Sequence, residues 1–307
     1  MRRNKRRNNQ KKFETKKSKF LLTLFIFILF ILFIFTIQNI SSLKNAKKLS
    51  KNNNEKITIE TANKEDNIED NNIKKEPITF KLTSLGDTLC HNTQYWDAYN
   101  STTKEYDFSY VYENISNYTS SSDLTIGSLE TSFAGEDRGY SNYPTFNSPD
   151  SLATALKNIG VDIISTAGNH ALDYGYSGLC RTIDVLEQNG LSHLGTYKTA
   201  EEQEKILIKN VKGVNIAFIN YTYGTNGIPV PSDKPYCINL IDKDLIKKQI
   251  QTAKDQNVDM IVACMHWGIE YKTTASDEQK ELADFLFENG VDVILGNHPH
   301  VIEPMEK

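Results

Sequence analysis

The sequence predicts an α/β domain with mixed sheets, preceded by one transmembrane helix. An uncharged apolar run occupies residues 20–37, behind a basic N-terminal tail. From Pro77 onward, short apolar runs alternate with segments of helical periodicity, which is the pattern of an α/β domain. Two of the apolar runs, 206–209 and 214–220, are joined by only four residues, which predicts an antiparallel hairpin and therefore mixed sheets.

Residues 20–37 have the length and composition of a membrane span. Their only polar side chains are Thr23 and Thr36, and a helix of this length is roughly 27 Å long, enough to cross a hydrocarbon core. A cleaved signal peptide usually has an apolar stretch of ~7 to 15 residues followed by a small-x-small site. We therefore expect an uncleaved transmembrane anchor over residues 20–40.

The charges predict an orientation and exclude one class of partner. The chain of 307 residues has a net charge of −4, yet residues 1–19 carry ten basic side chains and a single acid, Glu14. Because basic residues stay on the cytoplasmic side, we expect a cytoplasmic tail over 1–19 in a single-pass protein of the cell membrane. Everything after residue 40 would be extracytoplasmic. The rest of the chain is acidic, which argues against nucleic acid as a partner.

A linker and one outer domain are expected after the anchor. Residues 41–76 are rich in Asn and Lys and poor in aromatic residues, which is typical of a flexible linker. The four cysteines of the outer domain, 77–307, are too few for a disulfide scaffold, so one or two bridges or four buried thiols remain open.

Within the outer domain the strands and helices follow from hydrophobic periodicity. Helix 150–159 is typical, because its apolar residues recur at spacings of three and four. We expect strands over 78–85, 161–166, 206–209, 214–220, 258–265 and 291–295, and helices over 150–159 and about 177–189, 242–256 and 276–289.

Five of the six histidines stand at or just beyond the ends of apolar runs: His91, His170, His266, His298 and His300. Ligands bind at the carboxyl ends of strands in α/β sheets, so several strands are predicted to deliver imidazoles to one rim. The sixth, His193, is better interpreted as a buried strand histidine outside the site. The alternative role for His170 is a helix or turn cap, and the alternative for His266 is a core histidine.

Oxygen ligands accompany these imidazoles. Asp87 and Asn169 lie in the same segments as these histidines, and Glu130 ends a separate segment, 126–130. Imidazole with carboxylate and amide oxygen suits zinc, manganese, iron or nickel. Cys90 is either a soft ligand or a buried thiol. Glu270 either supports the site from outside or is simply solvated.

Taken together, these segments resemble the poly-gamma-glutamate capsule biosynthesis family (CapA/PgsA-like), a branch of the metallo-dependent phosphatase superfamily. The resemblance implies a four-layer α-β-β-α sandwich with a dinuclear metal site at the strand ends. It runs from about Ile78 to the last residue and rests on Gly86-Asp87 with His91, on 127–131, on 143–149, on Ala167-Gly168-Asn169-His170 with 173–175, on His266-Trp267-Gly268 with Glu270-Tyr271, and on 296–301.

The resemblance also implies roles for individual residues around two divalent ions, with Mn, Zn or Fe expected. His170 would be the catalytic proton donor to a leaving group. The first ion would take Asp87, Glu130 and His300, with His91 as a further ligand, and the second would take Glu130 as a bridge, Asn169, His266 and His298.

Two features depart from the family pattern. The superfamily usually opens with Asp-x-His, whereas here three residues separate Asp87 from His91. The family also normally continues through further strands, so the domain is expected to be truncated at its C-terminus.

The function implied is that of a membrane-anchored extracytoplasmic component of capsule or poly-gamma-glutamate biosynthesis or export. Its expected partners are the membrane, a polyanionic polymer or its precursor, and the polymer synthase subunits. If it is an enzyme, a metal-dependent, phosphoesterase-like hydrolase is expected. The alternatives are a stand-alone extracytoplasmic metallophosphoesterase and a non-catalytic binding relic.

Overall fold

The computed structural model describes residues 76–307, and two four-stranded sheets form the centre of this part of the chain. In chain order the strands are β1 Leu82–Thr88, β2 Tyr99–Asn100, β3 Glu105–Tyr106, β4 Leu124–Leu129, β5 Ile163–Ser165, β6 Ser192–Leu194, β7 Leu207–Val211, β8 Val214–Thr222, β9 Met260–His266 and β10 Val293–Asn297. The α-helices are α1 Asn92–Asp97, α2 Ser116–Ser120, α3 Ser151–Asn158, α4 Gly175–Gln188, α5 Ala200–Gln203, α6 Lys243–Asp255 and α7 Asp277–Asn289.

The first sheet is parallel and the second is mixed, so the sheets taken together are mixed, as predicted. The first has the order β1-β4-β5-β6, and all of its pairs are parallel. The second has the order β10-β9-β8-β7, in which only β7 runs antiparallel to its neighbour. The predicted hairpin is therefore confirmed. Lys212 and Gly213 turn it with φ of +52° and +92°, the left-handed conformation that a two-residue hairpin turn requires.

Hydrophobic contacts arrange the two sheets face to face between layers of helices. On β8, Ile216 and Phe218 pack against residues of the first sheet, whereas Ala217, Ile219 and Tyr221 pack against α6 and α7. This is the two-residue alternation of a strand that is buried on both faces. On the other side, α3 and α4 cover the first sheet through Leu156, Val185 and Leu186, among others. The order of layers is thus helices, sheet, sheet, helices.

The four long helices begin and end within two residues of their predicted bounds. Their ends carry the expected signals. The side chains of Asp242 and Ser276 accept N–H groups in the first turns of α6 and α7, and Gly290 ends α7 with a φ of +101°. Capping of this kind stops each helix where the chain must turn back towards a strand end.

The prediction missed β4, the central strand that leads to Glu130. Its sequence, LTIGSL, mixes polar and apolar residues without a clear period, although all six residues are buried. Gly127 packs closely against the next strand, because a Cβ there would lie 3.3 Å from Cδ1 of Ile164, which would have to shift by a few tenths of an ångström. The first strand, Leu82–Thr88, begins and ends later than predicted. Its pairing with β4 is irregular between Ser84 and Asp87, and the strand continues to Thr88.

The predicted localisation in the membrane is wrong for the described part of the chain. Among residues 76–307, no helix combines the length and the apolar character that a membrane crossing needs. The predicted tail 1–19, the anchor 20–40 and all but the last residue of the linker 41–76 lie outside the described residues.

Candidate metal centre

The carboxyl ends of strands from both sheets converge on one group of polar side chains. In the first sheet, Asp87 lies near the end of β1, Glu130 directly follows β4, and Asn169 follows β5. In the second sheet, His266 is the last residue of β9 and pairs in register with Asn297, so that His298 and His300 follow at the same edge. The structure thus brings together six of the predicted site residues: Asp87, Glu130, Asn169, His266, His298 and His300.

Glu130 is at the centre of this group. Its Oε1 lies 3.6 Å from Nε2 of His266, 3.6 Å from Nε2 of His300 and 3.8 Å from Nδ1 of His298. Two sets of ligand atoms compact enough for one ion each therefore share this residue: Glu130 with His266 and His298, and Glu130 with Asp87 and His300. A shared carboxylate is what a bridging ligand between two ions requires.

Asp87 and Asn169 complete the group. Oδ1 of Asp87 lies 3.7 Å from Nδ1 of His266, and its Oδ2 lies 3.8 Å from Nδ1 of His300. Oδ1 also accepts a hydrogen bond from the Ser128 hydroxyl, and Oδ2 accepts one from the His298 backbone N–H. Asn169 presents its Oδ1 2.9 Å from Nε2 of His266. The side chains of Asp87 and Asn169 are thus fixed by contacts within the protein.

Unpaired buried atoms test whether these residues fit a cation. Both carboxylate oxygens of Glu130 are buried without a hydrogen-bond partner, and so is Nδ1 of both His266 and His298. An unpaired buried polar group costs free energy, on the order of 1–3 kcal/mol for a neutral group and more for a charge. Imidazole and carboxylate ligands suit a divalent transition metal, so these residues fit such an ion.

The pKa shifts of these side chains also favour a bound cation. Burial, helped by the nearby Asp87, raises the pKa of Glu130 to about 8. Burial also lowers the pKa of His298, and it lowers that of His266 well below the ordinary value. The contacts of Glu130 with these two imidazoles are therefore not ion pairs, because both rings are neutral near pH 7. Neutral rings leave lone pairs for a cation, which would also favour the ionised carboxylate.

His170 lies beside this group in a different setting. Its Nδ1 is 2.7 Å from Oδ2 of Asp173, whose side chain is fully buried and also accepts the Phe146 backbone N–H. The edge-on ring of Phe146 lies 4.6 Å from the imidazole, and Asn226 lies 3.3 Å from its Nε2. The carboxylate therefore accepts the Nδ1–H of His170, and Nε2 faces the side-chain amide of Asn226.

The structure does not bring His91 into the group. The chain turns into α1 directly after Cys90, so His91 becomes the N-cap of that helix and is exposed. Its ring packs edge-on against Phe146 at 5.1 Å. The three intervening residues therefore place the imidazole beyond the strand end. Cys90 is buried, and burial raises the pKa of its thiol to about 11, in line with the buried-thiol interpretation.

Sequence reasoning missed two side chains around the site. The ring of Tyr223 lies 4.6 Å from that of His298 and stacks at 6.3 Å on that of His266. Tyr223 directly follows β8, so the strand-end rule applied to this strand finds it. No pattern in the sequence marked Asn226 as a site residue. His193, predicted to lie outside the site, is in β6 and lies 3.4 Å from Glu187.

Comparisons with known proteins identify the family of this chain. Residues 81–307 match the family described as bacterial capsule synthesis protein PGA_cap. The capsule biosynthesis protein CapA of Bacillus anthracis is 30% identical over 66% of this chain and 51% of that protein. The PGA biosynthesis protein CapA of Bacillus subtilis (strain 168) is 33% identical over 49% of this chain and 40% of that protein. The chain thus spans about half the length of the curated relatives it matches.

Among solved structures, a putative 5'-nucleotidase from Staphylococcus aureus superposes with a TM-score of 0.45 at 16% identity, over 72% of this chain and 45% of that one. The family assignment rests on the sequence match, which covers most of the described residues. This chain belongs to the bacterial capsule synthesis protein PGA_cap family.

Proposed function

We propose that this protein takes part in the production of a capsule polymer of the poly-gamma-glutamate type, and that it does so through a site for two divalent metal ions. The observation that carries the proposal is the shared, buried and unpaired carboxylate of Glu130 between two sets of imidazole and carboxylate ligands. The names of the two Bacillus relatives, a capsule and a PGA biosynthesis protein, support the polymer.

In this proposal each ion has its own ligands. Asp87, Glu130 and His300 would hold the first, and Glu130, His266 and His298 would hold the second, with Asn169 beside it. Mn, Zn and Fe are the expected metals, since each accepts mixed imidazole and carboxylate ligands. A metallo-dependent phosphatase type of fold, with two sheets between helices, is consistent with a site of this kind.

The chain's own residues would position and protonate the reacting group. When bound, the two ions would supply Lewis-acid stabilisation of the charge that develops at the attacked centre. His170, when protonated on both ring nitrogens, would donate a proton from Nε2 to the leaving group, while Asp173 accepts the Nδ1–H and orients the ring. Tyr223 would exclude water from one side of His266 and His298.

The substrate in this proposal is the polyanionic polymer or its precursor, and the partners are the polymer synthase subunits. From Pro77 onward the chain has more acidic than basic residues, so its side chains alone do not provide a general attraction for a polyanion. Bound divalent ions would supply the positive potential locally.

Complementation in an encapsulated host tests the proposal. Deletion of the gene should lower polymer yield and surface attachment, and the wild-type chain should restore both. The Glu130→Ala chain should not restore them, whereas His193→Gln, a histidine change outside the site, should. Unchanged yield and attachment after deletion would contradict the proposed role.

A stand-alone metallophosphoesterase is the second candidate, and the ordered His170–Asp173 pair favours it, because such a pair suits general acid catalysis. Metal-dependent hydrolysis of a generic phosphoester by the purified chain, lost in His170→Ala, would support it. A chain that binds metal but hydrolyses nothing with any divalent ion would instead fit a binding role.

A further inference from the structure

Glu270 is a carboxylate at the edge of the metal centre that neither ion of the proposed function uses. It lies in the segment after β9, and its side chain is exposed, unlike that of Glu130. One of its oxygens lies within 4.8 Å of a ring nitrogen of His298 and of one of His300. Glu270 and His298 are not hydrogen-bonded in this conformation, so a change of rotamer at the exposed Glu270 side chain would be needed to bring them to hydrogen-bond distance.

The backbone holds Glu270 beside these imidazoles. The N–H of Tyr271 donates a hydrogen bond of 2.7 Å to the carbonyl oxygen of Pro299, between the two histidines. Tyr271, His298 and His300 all have positive φ, at +63°, +97° and +57°. Left-handed backbone at bulky residues is strained and persists only where the surroundings determine it. The segment of Glu270 and the histidine segment are thus held together as one unit.

The ring of His298 has one nitrogen facing inward. Its Nδ1 is buried, lacks a hydrogen-bond partner and lies 3.8 Å from Glu130. To bind a cation, this nitrogen must be unprotonated, and the proton of the neutral ring must then be on Nε2. A neutral imidazole free of other contacts does not fix this choice, because either nitrogen can carry the proton.

We propose that Glu270 is a positioning residue that accepts the Nε2–H of His298 and thereby keeps Nδ1 free for the metal. Metal-binding histidines commonly donate their second ring N–H to a carboxylate, which fixes both the tautomer and the orientation of the ring. The inference rests on the proposed function in one respect, namely that the site binds metal. The tautomer itself is a property of the metal-free protein.

The direct test is nitrogen-15 NMR of the histidine rings in the metal-free, full-length chain at pH 8, with the His298 signals assigned by His298→Gln. The wild-type ring should carry its proton on Nε2. Glu270→Leu should lose this preference, and Glu270→Gln should keep it, because the amide oxygen accepts the same hydrogen bond. Glu281→Leu, which removes an exposed acid from the middle of α7, is the matched control and should leave the signals unchanged.

A second measurement gives the consequence for metal binding. Titration with Zn²⁺ should show that Glu270→Leu weakens binding about 10- to 100-fold. Glu270→Gln should remain close to the wild type, and the number of ions bound should not change. An unaltered tautomer in Glu270→Leu would overturn the inference. Loss of one whole equivalent of metal would also overturn it, because Glu270 would then be a ligand of a further ion. Neither result depends on hydrolysis or on polymer yield, so failure of the proposed function remains distinguishable.

Discussion

The backbone N–H of His298 donates a hydrogen bond of 2.8 Å to Oδ2 of Asp87. This contact joins residues 211 positions apart and links the edge strands of the two sheets, β1 and β10. Asp87, a proposed ligand on one sheet, therefore fixes the backbone that presents two histidines of the other sheet. Both halves of the proposed metal centre depend on the docking of the two sheets.

Substitution of Asp87 should separate its structural role from its role as a ligand. Asp87→Ala leaves the buried N–H of His298 unpaired, so we expect a loss of about 1–3 kcal/mol in the free energy of unfolding of the metal-free chain. Asp87→Asn keeps an acceptor for that N–H and should cost less, yet both variants should bind metal weakly. Urea unfolding and metal titration check these outcomes. Equal destabilisation by Ala and Asn would contradict the role of the hydrogen bond.

The raised pKa of Glu130 predicts a pH dependence of stability in the metal-free chain. The carboxyl group ionises near pH 4.5 in the unfolded chain and near pH 8 in the folded one, so the fold opposes ionisation. Relative to Glu130→Gln, the wild type should therefore lose stability as the pH rises from about 4.5 to about 8, by a few kcal/mol at most. Unfolding measured at pH 5, 6.5 and 8 tests this. A difference that is independent of pH would contradict it.

Asp173 should affect proton transfer without affecting the binding of metal. Asp173→Asn removes the carboxylate that accepts the Nδ1–H of His170 and orients its ring, so any hydrolytic activity should fall about 100-fold or more. Metal content should stay at the wild-type level, because Asp173 belongs to neither ligand set. Rate measurements and elemental analysis of the same samples check both points. A parallel loss of metal would show that Asp173 acts on the structure of the site.

The contact between the sheets should dominate stability. Phe218 is 1% exposed between them, so Phe218→Ala should lower the free energy of unfolding by about 3–5 kcal/mol. Phe287 on α7 is 51% exposed, and Phe287→Ala is the matched control, with an expected cost below about 1 kcal/mol. Denaturant unfolding distinguishes the two. Similar costs would mean that the sheets do not share a well-packed core.

Much of the site was predictable because parallel strands end at a common edge. Clear apolar runs predicted the strands that end at His266 and just before His298, and the family motif supplied Glu130 although its own strand was missed. The short strand β6 and helices α1, α2 and α5 have too few residues to show a period. The position of His91 depends on where β1 ends and a short helix begins, which hydrophobic pattern does not determine. The same strand-end rule, applied to β8, would also have predicted Tyr223.

The most direct test of the central claim is the metal content of the purified full-length chain. Elemental mass spectrometry of the wild type should find close to two equivalents of a transition metal. The double variant Glu130→Ala, His298→Ala should lose them, and His193→Gln should keep them. A folded wild-type protein that binds no metal, or a double variant that retains both equivalents, would contradict the proposed centre.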